Sequence, residues 1–254
     1  MSEVALLCGG GASSAAVANA LRREFGEISI IVEQKEPRWL FLRRRIRRLG
    51  LVAVAGQVAF QALLVPVLRR LSRRRIAEIV AESGLDLDRT AVDRAVHVQS
   101  VNDPEALEWL ARERPRVVVV NGTRIIAGRI LAATDAVFLN THCGITPEYR
   151  GAHGGYWALY RSDRENCGVT VHLVDAGIDT GDVLYQARLA PTAKDNYSTF
   201  PYLQLAVALP LLQRAARDAV AGTLRAEKVD LPSHLWSHPT LWHYIKTGWR
   251  RGAW

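Results

Sequence analysis

The sequence predicts an α/β protein, a doubly wound and mostly parallel sheet that carries a basic helical insertion. Short apolar, β-branched runs alternate with helix-length segments, the pattern of strands buried on both faces and joined by crossover helices. The positive charge of the 254-residue chain, 33 Lys+Arg against 25 Asp+Glu, is gathered in one block that interrupts this alternation. The hydrophobic fraction of 49% is enough for a sizeable core and excludes disordered and collagen-like chains. Cys8, Cys143 and Cys167 are widely spaced and form no CxxC pair, so a disulfide scaffold and a zinc ribbon are excluded and a reducing, cytoplasmic setting is expected. Glu3 stands where a secretory signal needs a basic region, which agrees with that setting.

Taken in order, residues 4–8 are a first strand, ending in Gly9-Gly10-Gly11. Residues 13–25 form a helix with small residues where it lies on the sheet, and residues 28–32 a second strand. After the basic block, residues 76–83 continue as helix and residues 95–99 as strand. Asn102-Asp103-Pro104-Glu105 is a helix start, with a cap residue, Pro in the first turn and an acid beside it. That helix runs to about Arg114. Strands at 116–121 and 136–140 follow, with a short helix at 129–133 between them. Residues 169–174 and 183–187 are further strands around a polar loop, and a long apolar-periodic helix at 202–220 closes the domain. One α/β domain would thus occupy 1–224, with the insertion at 38–75, and residues 225–254 a Trp-rich arm holding Trp236, Trp242, Trp249 and Trp254. Thirty residues are too few for an independent domain, so the arm is expected to pack on the core.

The insertion holds 11 Arg and no acid; removing that charge from the total of +8 leaves −3 for the rest of the chain. A diffuse nucleic-acid footprint is therefore not expected. Residues 49–68 are uncharged and bracketed by arginines, and as a helix would be about 30 Å long. A membrane span fails on topology, since strands on both sides belong to one sheet. Two readings stay open: packing against the domain or a second subunit as a homodimer, and docking at the inner face of an anionic membrane.

The chemistry concentrates in two blocks. Asn140 and His142 lie two apart as a strand ends, so their side chains leave on one face, beyond the carboxyl end where open sheets hold ligands. Downstream, Gly168-Val169-Thr170-Val171-His172 leads into a loop with Asp175 and Asp179. An amide, an imidazole and a carboxylate together suit acyl transfer to an amine: Asn140 can donate to a developing oxyanion, His142 can move a proton, and Asp179 can orient and charge-stabilise it. Nothing has zinc-ligand spacing, and no metal is expected. Gly9, Gly11, Ala12 and Ser13 read equally as an anion site at a helix N-terminus or as a tight packing turn. His153 reads as an exposed loop histidine or an acceptor contact, and His172 as a structural histidine or a second base.

These blocks resemble the 10-formyltetrahydrofolate-dependent formyltransferase family, which includes glycinamide ribonucleotide transformylase, methionyl-tRNA formyltransferase and sugar N-formyltransferases. The family's Asn-x-His with Pro-x-Tyr-Arg-Gly stands at Asn140, His142, Pro147, Tyr149, Arg150 and Gly151, its Gly-Val-Thr-x-His at 168–172, and its catalytic Asp at Asp179. The resemblance implies Asn140, His142 and Asp179 as catalytic residues. It implies Arg124, Ile125, Ile126 and Asp175 at the folate, and Gly9, Gly11, Ala12, Ser13, Tyr149, Arg150 and His153 at the acceptor. It also implies 10-formyltetrahydrofolate as co-substrate and a small-molecule primary amine as acceptor, foremost a nucleotide-linked amino sugar. A glycinamide-ribonucleotide-type enzyme, a lipid-linked amine and a non-catalytic scaffold with a vestigial folate site are the alternatives. The tail is too short for the β-barrel that grips tRNA in methionyl-tRNA formyltransferases.

Overall fold

The computed structural model describes residues 2–251, with side chains through residue 248. The central sheet has 7 strands: β1 (Val4–Cys8), β2 (Ser29–Glu33), β3 (Val96–Val98), β4 (Val117–Asn121), β5 (Val137–His142), β7 (Gly168–Leu173) and β8 (Val183–Arg188), in the order β3-β2-β1-β4-β5-β7-β8. The first five run parallel, while β7 and β8 pair antiparallel. The period of two along each strand divides the core into two faces. Val4, Leu6, Val117 and Val119 meet helices α1 (Ala12–Phe25) and α8 (Phe200–Ala221) on one side. Ala5, Leu7, Val118 and Val120 meet α5 (Pro104–Glu113) and α6 (Gly128–Leu131) on the other.

The sequence places the elements within a few residues of their observed ends, with two differences that matter. Strand β5 continues past Asn140 through His142, which keeps both side chains in register on one face. Asp103 takes the N-cap position of α5, with Pro104 and Glu105 in its first turn, and Asn102 is used elsewhere. The Asn102 side chain donates to the Ile125 carbonyl and accepts from the Ala127 N–H, tying down the loop 124–127.

The insertion is two helices, α2 (Arg38–Leu49) and the apolar α3 (Leu51–Leu71), broken at Gly50, whose φ of 84° lies in the left-handed region. Helix α4 (Arg73–Ser83) then returns to the sheet. Strands β2 and β3 on either side of the insertion pair with each other, so the chain enters and leaves it from the same sheet.

The C-terminal arm packs onto a third core cluster with α7 (Gly154–Tyr160) and α3, around Phe60, Tyr156, Tyr197 and Tyr244. Its strand β9 (Leu235–Trp236) pairs with β6 (Arg150–Gly151), and Trp236 stacks on Trp157 at 4.7 Å between ring centroids. The closing helix α9 (Leu241–Arg251) lies against α3, with the Trp242 ring over Gly56. Trp254 and the Trp249 side chain lie outside the described residues.

Candidate active site

The carboxylate of Asp179 is the centre of a buried polar cluster at the carboxyl end of β5. One oxygen, Oδ2, accepts the Gly151 N–H at 2.9 Å and lies 3.2 Å from His142 Nδ1. The other, Oδ1, lies 3.4 Å from Asn140 Nδ2 and 3.6 Å from His172 Nε2. Asn140 and His172 face each other across the β5–β7 pair, with Asn140 Nδ2 3.2 Å from His172 Nε2. His172 Nδ1 lies 2.7 Å from the Leu173 carbonyl, which can only accept. A neutral His172 therefore carries its proton on Nδ1 and leaves Nε2 to accept from the Asn140 amide. His172 is thus a positioning residue for Asn140.

The same logic fixes His142. Its Nε2 lies 2.7 Å from the Tyr149 carbonyl and must donate to it, which leaves Nδ1 facing the Asp179 carboxylate. Burial would raise the Asp179 pKa, but the imidazoles of His142 and His172 beside it and the Gly151 N–H outweigh it and hold the carboxyl down to about 2. Burial of the ring holds the His142 pKa below its ordinary value, with the Asp179 carboxylate opposing that shift, so at neutral pH the resting ring is neutral with its proton on Nε2.

These groups open onto a cleft of about 290 Å³ that is also lined by Arg124, Ile125, Ile126 and Asp175. The loop carrying the first three is held by Glu33, a buried residue that sequence reasoning missed. Its carboxylate accepts the Arg124 N–H at 2.7 Å, Arg124 Nη1 at 2.7 Å and the Val101 N–H at 3.0 Å. The signal was an acid ending an otherwise apolar strand. Asp175 lines the cleft while its carboxylate is engaged with Gly177 N–H and the Thr180 hydroxyl. The N–H and C=O of Ile126 have no hydrogen-bond partner among the described residues, so this stretch offers a donor and an acceptor to a planar heterocycle.

Several residues expected at the acceptor are placed differently. The Tyr149 side chain is fully buried, with its hydroxyl 2.6 Å from Asp163 Oδ2, so only its backbone reaches the site. Gly9, Gly11, Ala12 and Ser13 do not line the cleft. Gly9 N–H donates to the Asn121 carbonyl and Ser13 Oγ to Asn121 Oδ1, which ties this segment to the end of β4, and Gly9 backs onto Gly122 of the cleft wall. Arg150 stays beside the site, donating through Nη1 to the Ile178 carbonyl at 2.9 Å, with a buried Nε that has no partner among the described residues.

His153 is not an exposed loop histidine. It is held between Tyr197 and His238, with His153 Nε2 3.0 Å from His238 Nδ1. Burial, reinforced by His238 and His142, pushes His153 down to about 3, and burial with Arg45 pushes His238 down to about 4. Both folded values lie below the unfolded value of about 6.5, so the unfolded chain binds more protons between about pH 6.5 and pH 4. Their contribution to stability is whole above that window and is lost as pH falls through it. The melting temperature is therefore expected to drop from about pH 7 to about pH 5. The drop should be shallower in His238→Gln. A flat profile across this range, measured by thermal melts, would contradict it.

Cys143 lies between the two blocks with burial pushing its thiol upward, which is unfavourable for a nucleophile.

Fold and site together define a doubly wound α/β domain with an amide–imidazole–carboxylate centre beyond the carboxyl ends of its strands. Residues 64–201, just over half of the chain and including Asn140, His142 and Asp179, match the formyl transferase family. The chain belongs to that family. Among curated proteins it is similar to a methionyl-tRNA formyltransferase of Caldanaerobacter subterraneus subsp. tengcongensis, 31% identical over 128 residues, which are 50% of this chain and 41% of that protein. The chain thus spans about two fifths of this curated relative's length. Among solved structures, an N-formyltransferase from Helicobacter canadensis in complex with folinic acid and dTDP-3-aminofucose superposes with a TM-score of 0.58 at 13% identity, covering 93% of this chain and 71% of that one. Glycinamide ribonucleotide transformylase 1 from Symbiobacterium toebii superposes with a TM-score of 0.55 at 22% identity, covering 91% and 95%. At these identities the structural likenesses concern the fold.

Proposed function

We propose that this chain transfers a formyl group from 10-formyltetrahydrofolate to a primary amine. The observation that carries the reading is the single carboxylate of Asp179 joining Asn140, His142 and His172 beside a cleft whose Ile126 backbone groups are unpaired. The folate is a co-substrate that supplies an activated one-carbon acyl group. When the amine nitrogen attacks the formyl carbon, negative charge develops on the formyl oxygen. The long 3.4 Å contact from Asn140 to Asp179 is the one the amide can give up to meet that charge, while His172 keeps the amide oriented. A proton taken up at His142 Nδ1 would be stabilised by the facing Asp179 carboxylate and would place positive charge near the same oxygen. The new C–N bond forms as the bond from the formyl carbon to the folate nitrogen breaks, and the proton lost by the amine goes to the departing nitrogen.

The acceptor to try first is an amino sugar carried on a nucleotide, the ligand type named with the Helicobacter canadensis structure. Arg150, with its unpartnered Nε, is the residue suited to an anionic part of that acceptor. A glycinamide-ribonucleotide-type acceptor is the alternative, with the Gly9–Ser13 turn behind Gly122 as the segment that would meet its phosphate. Calorimetric titration with folinic acid, followed by an assay of tetrahydrofolate release with a panel of amino-sugar nucleotides, tests the reading. Saturable folate binding and amine-dependent release are expected. No folate binding would sink the proposal, and folate binding with no active amino-sugar nucleotide would remove the acceptor assignment.

A further inference from the structure

The insertion presents an apolar surface on the wrong side for a helix pair that only packs on its own domain. In α3, Val54, Gly56, Gln57 and Phe60 face the protein. Gln57 donates to the His238 carbonyl and Phe60 packs on Tyr197 and Tyr244. The opposite face would be polar in a surface helix. Here it carries Leu51, Val52, Val58, Leu63, Val67 and Leu71, all exposed, with Val52 at 74% and Leu71 at 76%. Helix α2 has no buried residue at all, and Trp39 on it is 65% exposed. Trp242 and Ile245 of α9, which packs beside α3, are also exposed.

The charge around this face is equally unpartnered. Arg44, Arg74 and Arg75 reach acids, whereas Arg38, Arg43, Arg47, Arg48, Arg69, Arg70 and Arg73 are exposed and make no ion pair among the described residues. Between α2 and α3 an apolar groove of about 590 Å³ is walled by Phe41, Leu42, Val54 and Val58, with Arg38 and Arg45 also lining it.

We propose that α2, α3 and the outer side of α9 form a face that docks on an anionic phospholipid bilayer, with the apolar residues among the acyl chains and the arginines at the phosphates. Aliphatic residues bordered by arginines are what an interfacial helix needs. A second copy of the chain is a poorer occupant, since it would bring the same 11 arginines against these. Nucleic acid would match the charge and leave the apolar residues in water. Spanning is excluded by the chain itself: β2 and β3 flank the insertion and pair in one sheet, and Gln57 ties the middle of α3 to the arm. The helix therefore lies along the surface, about 31 Å long at 1.5 Å per residue. This inference stands independently of the formyl-transfer reading.

The test is cosedimentation of the full chain with vesicles of phosphatidylglycerol and phosphatidylcholine in equal parts, and with phosphatidylcholine alone. Binding is expected to the anionic vesicles and to be at least about tenfold weaker to the neutral ones. Leu51→Glu/Val52→Glu/Leu63→Glu should abolish it without lowering the melting temperature, because all three side chains face solvent. Arg43→Glu/Arg47→Glu/Arg48→Glu should weaken binding to the anionic vesicles about 10²-fold or more. Brominated phosphatidylglycerol should quench tryptophan fluorescence, and less so in Trp39→Phe. Wild-type protein left in the supernatant, or a leucine–valine variant that sediments like wild type, would overturn the proposal. So would a stable dimer in light scattering that this variant converts to monomer, with no vesicle binding by either.

Discussion

Asp179→Asn is expected to lower turnover by about 10²-fold or more, and Asp179→Ala by at least as much. The carboxylate is the one group that touches every other member of the centre, so its charge stabilises a proton taken up at His142 Nδ1 and its oxygens fix Gly151 and Asn140. Asn preserves the shape and can still accept from the Gly151 N–H, but it cannot balance an imidazolium. The two variants separate charge from backbone. Asp179 has φ of 51°, a left-handed conformation that Asn tolerates and Ala resists, so Ala should cost additional stability. With the folded pKa at about 2, below the unfolded value, the stability contributed by the charge is whole above about pH 4 and is lost as pH falls toward 2. That contribution is of the order of 2 kcal/mol, small enough to leave the Asn variant folded at neutral pH. Turnover measured well below the melting temperature of each variant decides the matter, and wild-type turnover in Asp179→Asn would remove Asp179 from the mechanism.

The parts of the fold and site that follow a local period were legible from residues. Asn140 and His142 are two apart on a strand, and no tertiary knowledge is needed to put them on one face. The alternation of Val117, Val118, Val119 and Val120 between two cores is likewise a property of the strand alone. Asp179 reads as the partner of the histidine from its residue type and place after His172, and the family likeness agrees, but a polar loop has no period to say which carboxylate turns inward. Asp175, four residues away, closes its own loop instead.

What stayed hidden depends on contacts made far along the chain. Tyr149 sits in a motif that invites a substrate role, yet Asp163 and the stacked Trp236 draw its side chain into the core. His153 reads as a loop residue until Tyr197 and His238 close on it. The arm does more than cover apolar surface, since β9 pairs with Arg150 and Gly151, and Gly151 in turn donates to Asp179. The last turns of the chain therefore support the loop on which the centre depends, something that Trp content could not reveal.

Gly144→Ala is expected to be nearly as damaging as the loss of Asp179, although residue 144 has no side chain to contribute. A Cβ there would sit 2.3 Å from the Tyr149 carbonyl oxygen and 3.0 Å from His142 Nε2. That carbonyl is the acceptor that fixes the His142 tautomer and points Nδ1 at Asp179. It cannot easily give way, because Tyr149 is pinned by the Ile145 carbonyl, by Asp163 and by burial of its ring. Gly154 presses on the same oxygen from helix α7, where a Cβ would lie 2.7 Å from it and 2.5 Å from Gly144 Cα. Two glycines from different elements thus leave room for one carbonyl. Alanine at either position must displace it, at a cost of roughly 1–3 kcal/mol in stability for the overpacking. Turnover should fall by about 10²-fold or more as the His142 proton loses its orientation. Imidazole nitrogen shifts in the NMR spectrum supply the second readout: the hydrogen-bonded Nε2 signal of His142 should move in both variants, while that of His172, held by Leu173 and Asn140, should stay. Wild-type turnover in either glycine variant would show that the Tyr149 carbonyl does not set the working geometry of His142.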